Sequence, residues 1–115
     1  MVQNRNKLIE LFISNITNSI VHEILEKAIF QNELIRKYNK ELLNSLELAK
    51  KYQEKINLKN LPLPFRDINY IKNKIINKVK TELLLRISKG YTNINLSLIN
   101  QSVDKYLKET NIIEK

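Results

Sequence analysis

Apolar residues recur along most of this chain at steps of three and four, the spacing that lines one face of a helix. Between residues 5 and 30 the stripe is Ile9, Phe12, Ile13, Ile16, Ile20, Ile24 and Ala28, widened by Val21 and Leu25. It predicts a first helix over 5–30. Inside it, "SNITNS" at 14–19 is weak helix-forming sequence, because Ser, Asn and Thr offer the backbone competing hydrogen bonds. Fraying, a kink or an end is expected there. A second stripe, Ile35, Tyr38, Leu42, Leu46, Ala49, Tyr52 and Ile56, holds a near-heptad spacing and predicts a helix over 33–56. No glycine or proline separates the two, so the boundary falls loosely near "FQN" at 30–32. One continuous rod is the alternative. At 1.5 Å per residue it would be roughly 75 Å long and would need a partner to bury its stripe.

The next boundary is marked. Pro62 and Pro64 stop the second helix and push Leu61 and Leu63 out of the helical region. "NLPLPF" is then extended, with Leu61, Leu63 and Phe65 folding back over the end of the bundle. Asp67 is the expected N-cap of a third helix over 68–88, carried by Ile68, Ile71, Ile75, Val79, Leu83 and Ile87 and widened by Ile76 and Leu84. Lys89 and Gly90 end it: a cation in the last turn, then the single glycine of the chain. "YTNIN" follows as a loop. A last helix over 96–110 turns Leu96, Ile99, Val103, Tyr106 and Leu107 inward, and the tail "NIIEK" has no assignment. Short connections between amphipathic helices favour antiparallel neighbours. The expectation is one all-α domain over 1–115, an antiparallel four-helix bundle with a proline-containing connection at 57–67.

Composition narrows the chemistry. One glycine and two prolines leave few turns, which argues against a β-sandwich or a βαβ array. With 43% hydrophobic and 28% charged residues the chain has ordinary globular content. The absence of cysteine removes disulfides, thiolate catalysis and cysteine-ligated zinc. No apolar run is long enough for a transmembrane helix, and the opening apolar run is short and carries Glu10, a poor signal peptide. The expected location is cytoplasmic. His22 is the only histidine, and Glu26 one turn on shares its face, but a metal site needs three or four ligands and the other carboxylates are scattered. A single glycine rules out a phosphate-binding loop, and a serine nucleophile would have no base but His22. No enzyme, cofactor or metal is expected. Residues 82–107 resemble the helix-turn-helix of LuxR-type regulators around Leu85, Gly90, Tyr91, Thr92 and Asn93. Asn93 and Val103 are too close in sequence to hold both a helix and a turn, so this stretch reads as a glycine-capped helix end and a loop.

Charge is the feature that the fold does not demand. Of a net +8, residues 59–89 carry +6: Lys59, Arg66, Lys72, Lys74, Lys78, Lys80, Arg86 and Lys89 against Asp67 and Glu82. On a helical wheel Lys74 and Lys78 share the outer face with Thr81, Asn73 and Asn77, while Lys80 sits on a flank. Lys72 and Arg86 point into the apolar arc, where their stems would snorkel over the core edge or meet a partner. A polar-basic helix edge suits phosphate contacts, and Tyr70 and Tyr91 near its ends suit base stacking. The expected nucleic-acid-binding residues are Arg66, Lys74, Lys78, Lys80 and Lys89, with Lys72 and Arg86 as partner contacts. The alternative is a protein-interaction module, an inhibitor, an immunity-type factor or an assembly subunit, whose basic helix is only a solvated or partner-facing surface. The pattern admits a protein partner or a homo-oligomer. A membrane surface ranks last, because the apolar arc of the third helix is needed for the core.

Overall fold

The direction of buried side chains explains the architecture. In α1 (Arg5–Ala28) eleven residues are buried: Leu8, Ile9, Phe12, Ile13, Ile16, Thr17, Ser19, Ile20, Val21, Ile24 and Leu25. At 100° per residue they spread over about 260° of the helix circumference. A helix that is apolar on most sides must be covered on most sides, and α1 is the axle on which the others pack. α2 (Asn32–Ile56), α3 (Phe65–Ser88) and α4 (Leu98–Glu109) all contact it, and a single 3₁₀ turn (Leu58–Asn60) follows α2. This computed structural model describes residues 4–28 and 32–113, and among them there is no strand. The chain forms a four-helix bundle of 41 × 27 × 24 Å.

α2 runs antiparallel to α1, as the pairs Ser19–Leu42 and His22–Glu41 show. That hairpin replaces the rod. The first helix is described only to Ala28, so its expected end at 30 and the boundary at 30–32 lie largely outside the described residues. "SNITNS" neither frays nor kinks. Asn15 donates to the Leu11 carbonyl, and the fully buried Ser19 hydroxyl lies within hydrogen-bond distance of the Asn15 and Leu42 carbonyls. Asn15 and Ser19 thus satisfy their side chains on nearby carbonyls, and the small Ser19 lets α2 approach. α2 is amphipathic, and α1 is the only helix that its backbone approaches closely. Leu42, Ala49 and Ile56 are therefore buried, while Ile35, Tyr38, Leu46 and Tyr52 are half-buried.

α3 runs parallel to α1, with Arg5 against Asp67 near one end and Glu10 against Tyr70 further along. Ile71, Ile75, Val79 and Leu83 are fully buried between α1 and α4, but Leu84 and Ile87 are exposed. The inward arc ends a turn early because the helix outruns its cover. The helix also begins earlier than Asp67. Pro64 occupies the N-cap, with Asp67 and Ile68 donating backbone N–H groups to its carbonyl. Proline tolerates that place because it precedes the first helical turn. Asp67 sits in that first turn, where its charge suits the positive end of the helix dipole, and it pairs with Arg5 at 2.7 Å. Of the three residues expected to fold over the bundle end, only Leu63 does. Leu61 and Phe65 are 61% and 77% exposed.

Gly90 ends α3 with φ +99°, a conformation that L side chains rarely adopt, and Tyr91 N–H reaches back to the Arg86 carbonyl. After the loop, α4 buries Ile99, Val103, Tyr106 and Leu107. The tail is ordered by the same core: Thr110 and Ile112 are buried, and Ile112 N–H bonds the Leu107 carbonyl. Asn57, buried after α2, ties three segments together. It accepts from Gln53 at 2.8 Å and donates to the carbonyls of Leu61 and Asn111 at 3.2 and 3.0 Å.

Candidate functional site

The parallel pairing of α1 and α3 leaves a polar seam on the outside of the bundle. Its lining comes from residues of α1 and α3 that flank the buried faces of the two helices. A groove of about 450 Å³ opens there, lined by Ser14, Thr17 and Asn18 from α1 and by Lys74, Asn77, Lys78, Thr81 and Glu82 from α3. Lys74, Lys78 and Thr81 recur at three- and four-residue steps, so one helix face carries them all. The same spacing on α1 brings Ser14, Thr17 and Asn18 together. Thr81 donates to the Asn77 carbonyl at 2.9 Å, which leaves its oxygen as an acceptor. The Thr17 hydroxyl oxygen is buried and has no hydrogen-bond partner, and the residue is only 5% exposed.

The ion pairs sort the cations of α3. Lys72 bonds Asp104 of α4 at 3.0 Å, and Arg86 bonds Glu82 at 2.9 Å while also donating to its carbonyl. Their inward direction is thus explained inside the chain, and no partner is needed to account for it. Arg66, Lys74, Lys78, Lys80 and Lys89 have no acid partner among the described residues. The structure does not bring these five together. Lys80 points about 120° round the helix from Lys74 at 100° per residue, away from the groove. Lys89 lies at the far end of α3. Arg66 lines a second depression with Arg5, Asn6, Glu10 and Tyr70. Tyr70 joins the two depressions: its hydroxyl donates to Glu10, and its half-exposed ring lies under Lys74 Nζ at 5.9 Å. The bond to the Glu10 carboxylate, ahead of burial, raises the Tyr70 phenol above its usual range. The acids along this seam are engaged: Asp67 by Arg5, Glu10 by Tyr70, Glu82 by Arg86.

A second polar cluster lies where α1, α2 and the end of α3 meet. His22 stacks on Tyr38 with ring centroids 5.3 Å apart, and its Nε2 is 3.2 Å from Glu41, not paired with Glu26. Burial lowers the His22 pKa. Glu41 opposes that shift and Arg86 adds to it. The neutral ring then donates from Nε2 to Glu41, leaving Nδ1, a buried acceptor without a partner. Burial and the neighbouring Tyr91 hydroxyl push the Tyr38 phenol up. Tyr91 is thus a neighbour of Tyr38 at the end of α3, remote from the groove. On α4, burial and then Glu23 hold the Tyr106 phenol well above its usual range. Among the described residues no group of three or more His, Asp or Glu is placed to hold a metal ion, and no helix is long and apolar enough to cross a membrane.

No protein-family model matches the chain, and no curated protein or solved structure matches it either. Residue chemistry and geometry alone carry the functional reading. Sequence reasoning found Lys74, Lys78, Asn77 and Thr81, because they share a helix face. It missed Ser14, Thr17 and Asn18, which it read only as weak helix formers. Their signal was present in the same periodicity, but nothing in the sequence sets α1 beside α3 in parallel.

Proposed function

We propose that this chain is a non-enzymatic binding protein that contacts nucleic-acid phosphates along the α1–α3 seam, as one component of a larger assembly. The observation that carries the reading is the pair Lys74 and Lys78, two cations without acid partners that share a groove with amides and hydroxyls of both helices. Phosphate contacts are made by such groups: ammonium for charge, amide and hydroxyl for directed hydrogen bonds. Arg66 at one end extends the positive strip, and the half-exposed ring of Tyr70 offers a surface on which a base stacks. Lys80 and Lys89 contribute field rather than groove contacts. The test is a titration of a labelled single-stranded oligonucleotide at several salt concentrations. With about five phosphates engaged on a single strand, log K against log salt falls with a slope of about −3.5. Absence of binding at about 50 mM salt overturns the reading.

A second reading has its own observation. Leu58, Leu61 and Phe65 around the prolines are 67%, 61% and 77% exposed, which is more apolar surface in one short segment than solvent favours. It suits a protein partner at that end of the bundle. Capture of a stable protein complex that survives nuclease, and is lost with Phe65→Ser, supports it; a complex that nuclease dissolves counts against it.

A further inference from the structure

We propose that the α1–α3 groove is a seat for a single phosphate group, with the Thr17 hydroxyl as the donor at its floor. This deepens the phosphate-binding reading above and rests on it, by naming one site within the basic strip. The starting point is a cost. A buried hydroxyl without a partner destabilises a fold, whereas an apolar group of the same shape does not. Thr17 bears that cost at 5% exposure, on the side of α1 that lines the groove. Valine has the same branching and would fill the same place. A polar group kept where an apolar one packs better marks a place where local rules yield to a ligand.

The groove supplies what a tetrahedral oxyanion needs. Lys74 and Lys78 stand one turn apart on α3, and their charges are not spent on acids of this chain. Asn18 and Asn77 offer amide donors from opposite walls. The Thr17 hydroxyl lies beneath them with its oxygen closed to solvent, and it donates once a side chain of the rim turns aside. Glu82 also lines the groove, but Arg86 holds its carboxylate at 2.9 Å. The groove of about 450 Å³ is open to solvent and leaves room for a sugar beside the phosphate. Two sources share this chemistry: a phosphodiester within a nucleic-acid strand, and a free phosphomonoester such as a nucleoside monophosphate.

The experiment compares wild type, Thr17→Val, Thr17→Ser and Lys74→Gln/Lys78→Gln, with Lys40→Gln on exposed α2 as the control for net charge. Thermal melts are run in phosphate-free buffer, and binding of a labelled single-stranded oligonucleotide is followed by anisotropy, with adenosine monophosphate as competitor and as sole ligand. The expected result is that Thr17→Val melts about 4 °C higher than wild type, because the orphan hydroxyl is gone. It also binds the oligonucleotide about tenfold more weakly. Thr17→Ser restores binding, and Lys40→Gln leaves it unchanged. A Thr17→Val protein that melts lower than wild type means that the hydroxyl has a partner inside the fold, and it overturns the seat. Unchanged oligonucleotide affinity in Thr17→Val, with loss in Lys74→Gln/Lys78→Gln, overturns the seat and leaves the basic-strip reading standing. If adenosine monophosphate binds wild type but not Thr17→Val and no oligonucleotide binds, the seat holds with the free monoester as its source, and the nucleic-acid reading fails.

Discussion

Replacing Asn57 with alanine should destabilise this protein far more than its place in a connection suggests. The residue is 4% exposed and uses three of its hydrogen-bonding positions, accepting from Gln53 and donating to Leu61 and Asn111. Each such bond contributes about 1 kcal/mol net, and groups left unsatisfied by its loss cost more. The truncation is therefore expected to remove about 3 kcal/mol. For a domain of this size about 4 °C of melting temperature accompanies each kcal/mol, so the midpoint should fall by about 12 °C. Thermal denaturation followed by far-UV circular dichroism measures it, with the exposed Asn44→Ala as the matched control. Asn44→Ala should stay within about 0.5 kcal/mol of wild type. Asn57→Asp keeps the shape but turns an anion toward two carbonyl oxygens, and should be worse than alanine at neutral pH. A loss below about 1 kcal/mol for Asn57→Ala would refute the claim that this side chain clamps α2, the proline segment and the tail.

Three further outcomes follow from burial, pairing and titration. Ile75→Ala, at a fully buried site between α1 and α3, should cost about 2–5 kcal/mol in chemical denaturation, whereas Leu84→Ala on the same helix, 45% exposed, should stay within about 0.5 kcal/mol. Lys72→Met should change stability by less than about 1 kcal/mol, because its pair with Asp104 is largely solvated; a larger loss would mean that the ion pair, not the stem, holds α4. His22 has a folded pKa below its unfolded value of 6.5, so the unfolded chain binds the proton first. The neutral ring's contribution is fully present above that value and is lost as pH falls through the folded pKa. Wild type should therefore lose more stability than His22→Gln as pH falls below 6.5, and parallel pH curves would show that the ring titrates alike in both states.

The existence and order of the helices were legible because a 3.6-residue stripe survives any tertiary arrangement. What was not legible is which stripe would be covered on how many sides. α1 and α2 each carry a stripe of seven apolar residues at similar steps, yet the first is buried over most of its circumference and the second only along one edge. The exposed Ile87 and Leu84 follow from the same gap: periodicity assigns a face but not the length of the neighbour that covers it. "SNITNS" was read by intrinsic propensity, and packing against α2 overrode it. Asn57 is one of sixteen asparagines, and its partners lie 4 and 54 residues away, so only the fold distinguishes it from the rest. For the groove, the lysine face was readable on α3 alone. The opposite wall was not, since it depends on two helices separated by a third running side by side in the same direction.

Because every later helix leans on α1 while α1 is the only helix that the α2 backbone approaches closely, the molecule should come apart in a definite order. Once the Asn57 clamp and the Tyr38–Tyr91 contact open, α2 can swing away without separating α3 from α4, so its amides should exchange with solvent at a lower free energy than those of α1. α1, made before the other three helices, is then the last to lose protection, and the flank that faces α3 and α4 is covered only once they have been synthesised. Until then a nascent chain exposes that apolar flank, which makes the interval between α2 and α3 the period in which this protein most needs shielding from its neighbours.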